Sequence, residues 1–131
     1  MACIGMAIFP SASFRLELGP GLRLGPGKVK LLELIEARGS ISAAARDMGM
    51  SYRRAWLLVE ESNRLFATPL VESAAGGPGG GGARLTELGR KAIAVYRDVE
   101  KDMAALVNDK LSTVPAFKTE QPSSETDGSM D

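Results

Sequence analysis

Phe14, Arg15, Leu16, Glu17 and Leu18 alternate apolar and polar, the period of a half-buried strand, before Gly19, Pro20 and Gly21 break it. Past Gly25, Pro26 and Gly27 the pattern changes. Val29, Leu31, Leu32, Leu34 and Ile35 form a broad apolar face at helical spacing over residues 28–38, and Gly39 stands where a C-terminal cap belongs. A shorter helix is predicted over residues 43–48, with Ser42 as its N-cap and Gly49 at its end. Ser51 then caps a third helix expected to run to about residue 66, with Pro69 just beyond. Ala55, Leu58, Val59 and Leu65 share one phase of that helix, whereas Arg53, Arg54, Glu60, Glu61 and Arg64 lie mainly off it.

Two short strands follow, over residues 70–73 and 83–85. The seven glycines and prolines clustered between them, at positions 76–82, can only form a loop. Thr86 is placed to cap a long last helix ending near residue 111. Its Leu88, Ala92, Val95, Val99, Met103 and Leu106 advance in steps of three and four, the mark of a helix–helix seam. From residue 112 onward Pro, Ser, Thr, Glu and Asp dominate, and an acidic disordered tail is expected over residues 112–131. Residues 1–13 are expected to be a loose lead-in and residues 14–111 one domain.

The order is strand, helix, short helix, turn, helix, hairpin, long helix. It predicts a mainly α fold with a small β wing: a winged helix-turn-helix with a long C-terminal dimerisation helix. Such a motif needs a small residue where its two helices cross and a turn residue tolerant of positive φ; Ala45 and Gly49 supply them. Ala44, Met48, Met50, Ala55 and Leu58 fall where the helices must bury apolar side chains.

Ser51, Tyr52, Arg53 and Arg54 open the expected recognition helix. Arginine there can pair bidentately with guanine, while Ser51, Tyr52 and the free N–H groups of the first turn suit a phosphate. Solvated surface arginines are the plainer alternative. Trp56 admits two readings, packing at the edge of the core or contact with a base or sugar. The glycine-rich loop lacks the Lys-Ser/Thr that a phosphate-cradling P-loop carries, and a strand rather than a helix follows it. A wing tip with Arg84 at its base as a phosphate contact fits better, beside the plainer reading of a linker that touches nothing.

Composition narrows the chemistry further. There is no histidine, hence no imidazole base or ligand, and Cys3 is the only cysteine. No catalytic residue, metal site or cofactor is therefore expected. The net charge of zero hides a gradient: residues 1–97 hold thirteen Lys/Arg against eight Asp/Glu, and residues 98–131 three against eight. The first part can approach a polyanion while the last is repelled. No stretch approaches the roughly 20 apolar residues that span a bilayer, and residues 2–9 lack the basic flank of a signal peptide. A cytoplasmic protein with no membrane partner is expected.

Ser40-Ile41-Ser42, Ser51-Tyr52-Arg53-Arg54-Ala55-Trp56, Leu70-Val71-Glu72, the glycine-rich loop and Leu85-Thr86-Glu87-Leu88-Gly89 together resemble the N-terminal domain of the ModE family, molybdate-responsive bacterial regulators. The LysR-type DNA-binding domain is a more distant likeness. The resemblance implies a homodimer built through the first and last helices, with two recognition helices reading a palindromic operator of molybdate-transport or molybdoenzyme genes. Family members continue into molbindin domains that bind the oxyanion. Here an acidic tail stands in their place, so no direct molybdate site is expected within this chain. Two alternatives remain: a winged-helix protein-interaction module without specific DNA binding, and a small enzyme or oxyanion carrier using the glycine loop.

Overall fold

The turn expected at Gly19, Pro20 and Gly21 does more than end a strand: it reverses the chain. β1 (Leu16–Gly19) returns antiparallel as β2 (Leu22–Leu24), with Gly21 at φ 75°, a conformation that costs a residue bearing a Cβ. Leu16 faces Leu24, and Glu17 faces Arg23, which approaches its carboxylate to 3.6 Å. The computed structural model describes residues 10–74 and 82–115.

α1 (Pro26–Arg38) begins two residues before the apolar periodicity does, because proline is at home in a first helical turn, where its missing N–H is not needed. Val29, Leu31, Leu32 and Ile35 are wholly buried. Gly39 ends the helix in the left-handed conformation, its N–H donating to the Ile35 carbonyl at 2.7 Å.

α2 (Ile41–Met48) corrects one expectation. Its N-cap is Ser40, not Ser42: Ser40 is extended and its hydroxyl accepts the Ala43 N–H at 3.0 Å. The left-handed Gly39 turns the chain one step earlier than the apolar pattern reveals. Ser42 lies inside the first turn and accepts a 3.4 Å contact from Arg46. Gly49 closes the helix at φ 69° and Ser51 caps α3 (Tyr52–Ser62) by accepting the Arg54 N–H. Ala44 and Ala55 are fully buried and Ala45 nearly so, where the two helices cross, and Met48, Met50 and Leu58 pack partly against the same core.

α3 stops at Ser62, a turn short of the expected end. The backbone continues in tight turns, with Arg64 and Leu65 donating to Glu61 and Ser62, and Leu65 still reaches the core. β3 (Val71–Ala74) and β4 (Gly82–Leu85) then pair antiparallel with Glu72 opposite Arg84. Of the glycine-rich loop expected between them, Gly82 instead opens β4 and pairs with Ala74, while residues 75–81 lie outside the described residues, as do residues 1–9 and the tail beyond residue 115.

α4 (Glu87–Leu111) is capped by Thr86, whose hydroxyl accepts the Gly89 N–H at 3.0 Å and donates to the Pro69 carbonyl at 2.9 Å. Its core-facing residues are Gly89, Ile93 and Tyr96, a stripe beside the one singled out by sequence. Tyr96 is fully buried, stacks on Phe14 at 4.4 Å and donates its hydroxyl to the Phe14 carbonyl, tying the chain before β1 to α4. Arg97 holds Glu33 of α1 with two hydrogen bonds of 2.8 and 2.9 Å. Backbone contacts gather Phe14–Arg97 into one unit and assign the chain from Asp98 to a second. In that second unit α4 runs on to Leu111, and the hydroxyls of Ser112 and Thr113 close its end by donating to the carbonyls of Asp109 and Lys110.

The arrangement is a winged helix with a long C-terminal helix. No helix among the described residues is long and apolar enough to cross a membrane.

Candidate nucleic-acid interface

The serine cap fixes where α3 starts and therefore which residues occupy its first turn. The Ser51 hydroxyl is engaged by the Arg54 backbone but retains its own proton to donate. Tyr52 is 54% exposed, and Arg53 and Arg54 are exposed with no ion pair or side-chain hydrogen bond among the described residues. Six of the other cations of the unit, Arg23, Lys28, Arg38, Arg84, Arg90 and Arg97, each hold a carboxylate. Unpaired guanidinium groups at a helix start need lose no protein partner before meeting a base or phosphate.

The wing stands beside this helix, and one side chain fixes it there. The Asn63 amide oxygen, at the end of α3, accepts the N–H groups of Leu70 and Val71 at 2.9 and 3.0 Å, and its nitrogen donates to the Val71 carbonyl at 3.4 Å. Asn63 is also the C-cap of α3, its own N–H donating to the Val59 carbonyl at 2.9 Å. Asn63→Ala strands two part-buried N–H groups, and stability falls by about 2–3 kcal/mol. Chemical denaturation measures the loss; Asn63→Asp, which keeps the acceptor oxygen, recovers part of it.

The other end of the wing is fastened to α1. Ala83 donates to the Gly39 carbonyl at 3.0 Å, and the Glu36 carboxylate accepts the Leu85 N–H at 2.9 Å and the Arg90 guanidinium at 3.3 Å. Arg90 also donates to the Leu85 carbonyl. Glu36 and Arg90 thus join α1, β4 and α4 at one point.

Between α3 and the wing runs a groove of about 420 Å³, bordered by Tyr52, Trp56, Glu60 and, from β3, Glu72 and Ser73. Trp56 is 43% exposed, and its ring borders this groove. Arg84 is exposed on β4 as expected, but its Nε donates to Glu72 directly across the hairpin at 2.9 Å. Its charge is partly neutralised on site, which the spacing of the strands did not disclose.

The residues brought together are thus Ser51, Tyr52, Arg53 and Arg54 on one helical turn, with Arg84 on the neighbouring hairpin. Along α4 the seam residues divide. Leu88 and Ala92 pack partly against the core, whereas Val95, Val99 and Leu106 are 54%, 37% and 55% exposed and Met103 is half-buried. The ties made by Asn63 and Glu36 were not legible from sequence, since a single polar residue on a helix gives no signal of the backbone it will meet. Gly89 carried one: a lone glycine inside a helical pattern signals a close approach.

No protein-family model matches the chain. Curated proteins do. Over 88 residues it is 49% identical to the molybdenum-pterin-binding protein MopB of Rhodobacter capsulatus, covering 67% of this chain and 33% of that protein. Over 101 residues it is 40% identical to the molybdenum transport protein ModE of Azotobacter vinelandii, covering 77% of this chain and 37% of that one. The DNA-binding transcriptional dual regulator ModE of Escherichia coli K12 is 42% identical over 95 residues, 72% of this chain and 34% of its own length. The chain therefore spans about one third of the relatives it matches. With its winged helix in place, the chain is similar over that third to the ModE family.

Proposed function

We propose that this chain binds double-stranded DNA as a homodimer and regulates transcription, reading a palindromic operator of genes for molybdenum uptake or molybdoenzymes. The observation that carries the reading is the capped first turn of α3, which exposes Arg53 and Arg54, without counter-ions among the described residues, beside a fastened wing. Base-edge contacts come from those arginines; Ser51, Tyr52 and Arg84 hold the phosphates. Relatives named as transcriptional regulators and as molybdenum-binding or molybdenum-transport proteins support the class of target genes. Selection of bound duplexes from random DNA tests the reading: an enriched palindrome supports it. Recovery of no sequence would favour the interaction module instead, for which exposed Leu57 and Phe66 offer apolar surface.

The homodimer rests on α4. Exposed Val95, Val99 and Leu106 continue the stripe begun by Leu88 and Ala92, and Met103 lies between them. Burying a valine or leucine side chain contributes about 1.5–3 kcal/mol, so two such stripes meeting sustain association at micromolar concentration. Val99→Glu places two carboxylates in the seam and weakens the dimer at least about tenfold. Light scattering across a dilution series reads the result; an unchanged mass places the seam elsewhere.

A further inference from the structure

Glu60 is the anomaly on this surface. Eight carboxylates lie within Phe14–Arg97, and six of them are held by a cation: Glu17, Glu33, Glu36, Asp47, Glu61 and Glu72. Glu87 sits in the first turn of α4, where the helix dipole favours a negative charge. Glu60 has neither support. It makes no hydrogen bond or ion pair among the described residues, although Arg64 follows one helical turn later and its neighbour Glu61 is held by Lys28 at 3.0 Å. It is half-buried, and it borders the groove between α3 and the wing two turns along from Tyr52 and one from Trp56. An uncompensated carboxylate there repels every phosphate, so it lowers affinity for DNA of any sequence.

A carboxylate is an acceptor only, and in the major groove the base that matches it is cytosine, through the N4 amino group. We infer that Glu60 is a specificity-determining residue that accepts a hydrogen bond from a cytosine amino group, with Trp56 packed against the same strand beside it. The inference rests on the DNA-binding reading proposed above and names a second reading element, further along α3 than the arginine turn. In the free protein Glu60 has no partner among the described residues. The repulsion it exerts on a wrong sequence is relieved where the amino group is present.

Two measurements on the full chain separate this inference from the reading beneath it. Duplex selection with the unaltered protein, with Glu60→Gln and with Glu60→Ala compares base preference. At one pair of each half-site Glu60→Gln is expected to shift preference from C·G toward A·T, since an amide pairs with adenine, and Glu60→Ala to lose about tenfold in discrimination. Both variants are expected to bind random duplex more tightly. Trp56 is the only tryptophan, so its fluorescence reports on the groove itself and is expected to change on binding the selected duplex. If both variants shift affinity equally for all sequences, Glu60 only repels and the inference fails while the DNA-binding reading stands. Binding seen by anisotropy with unchanged Trp56 emission likewise overturns the inference alone, because the groove then stays empty in the complex. Absence of any selected sequence for the unaltered protein overturns both.

Discussion

Gly89→Ala destabilises the protein by about 2–4 kcal/mol, against the expectation for an ordinary helix position. A methyl in place of glycine inside a helix normally stabilises by about 1 kcal/mol. Here a Cβ would stand 2.3 Å from the carbonyl oxygen of Leu70, with the carbonyl carbon at 3.1 Å. That oxygen is backbone and cannot swing aside as a side chain would. It also accepts the Thr86 N–H at 2.9 Å, so moving it breaks the bond that leads the chain into α4. Overpacking of about 1–3 kcal/mol and a lost hydrogen bond of about 1–3 kcal/mol together exceed the helix gain. The melting temperature falls by about 10–20 °C, as calorimetry would record. An unchanged melting point would mean that α4 can ride away from β3 at little cost.

Removing Arg53 weakens binding to the selected operator by about 2–6 kcal/mol in a dimer, about 1–3 kcal/mol for each half-site, and relaxes preference at one base pair. Arg54→Ala is expected to act likewise where its guanidinium reaches a base. Arg84→Ala differs in kind. A phosphate contact weakens all sequences together and lowers the salt dependence by about one unit of slope. Because Glu72 already holds Arg84 at 2.9 Å, the change is expected to fall short of a full unit, and Glu72→Gln to steepen the salt dependence instead. Anisotropy titrations at several salt concentrations with operator and random duplex distinguish the two patterns. Loss of sequence preference on Arg84→Ala, with Arg53→Ala neutral, would transfer the reading role from α3 to the wing.

Much of this is legible along the chain because its causes are local. The glycines at 39 and 49, the serine at 51 and the threonine at 86 act on backbone groups within four residues of themselves, so they mark helix ends wherever the rest of the chain goes. The periodicity of α1 and the alanines at the α2–α3 crossing likewise follow from which side of one helix must be dry. Ser40 and Ser42 both precede an apolar run, so the pattern alone does not separate them, and only the left-handed Gly39 makes Ser40 the cap. The strand β2 stays hidden because three residues are too few to display a period.

Residue order was enough to specify the sequence of elements apart from β2, the winged helix, and the surface turn that carries Ser51, Tyr52, Arg53 and Arg54. Packing in three dimensions settled that Asn63 clasps β3, that Glu36 and Arg90 join β4 to two helices, that Glu72 holds Arg84, and that Glu60 is left unpartnered among the described residues. It also settled which α4 stripe meets the core. Leu88 and Ile93 are both apolar, yet Gly89, Ile93 and Tyr96 face inward, with Gly89 against the Leu70 carbonyl, while Val95 and Val99 are exposed. Local caps and periodicities are set by neighbours in the chain. Pairings between side chains and backbone far apart in sequence exist only once packing has brought them within about 3 Å, the range over which a hydrogen bond acts.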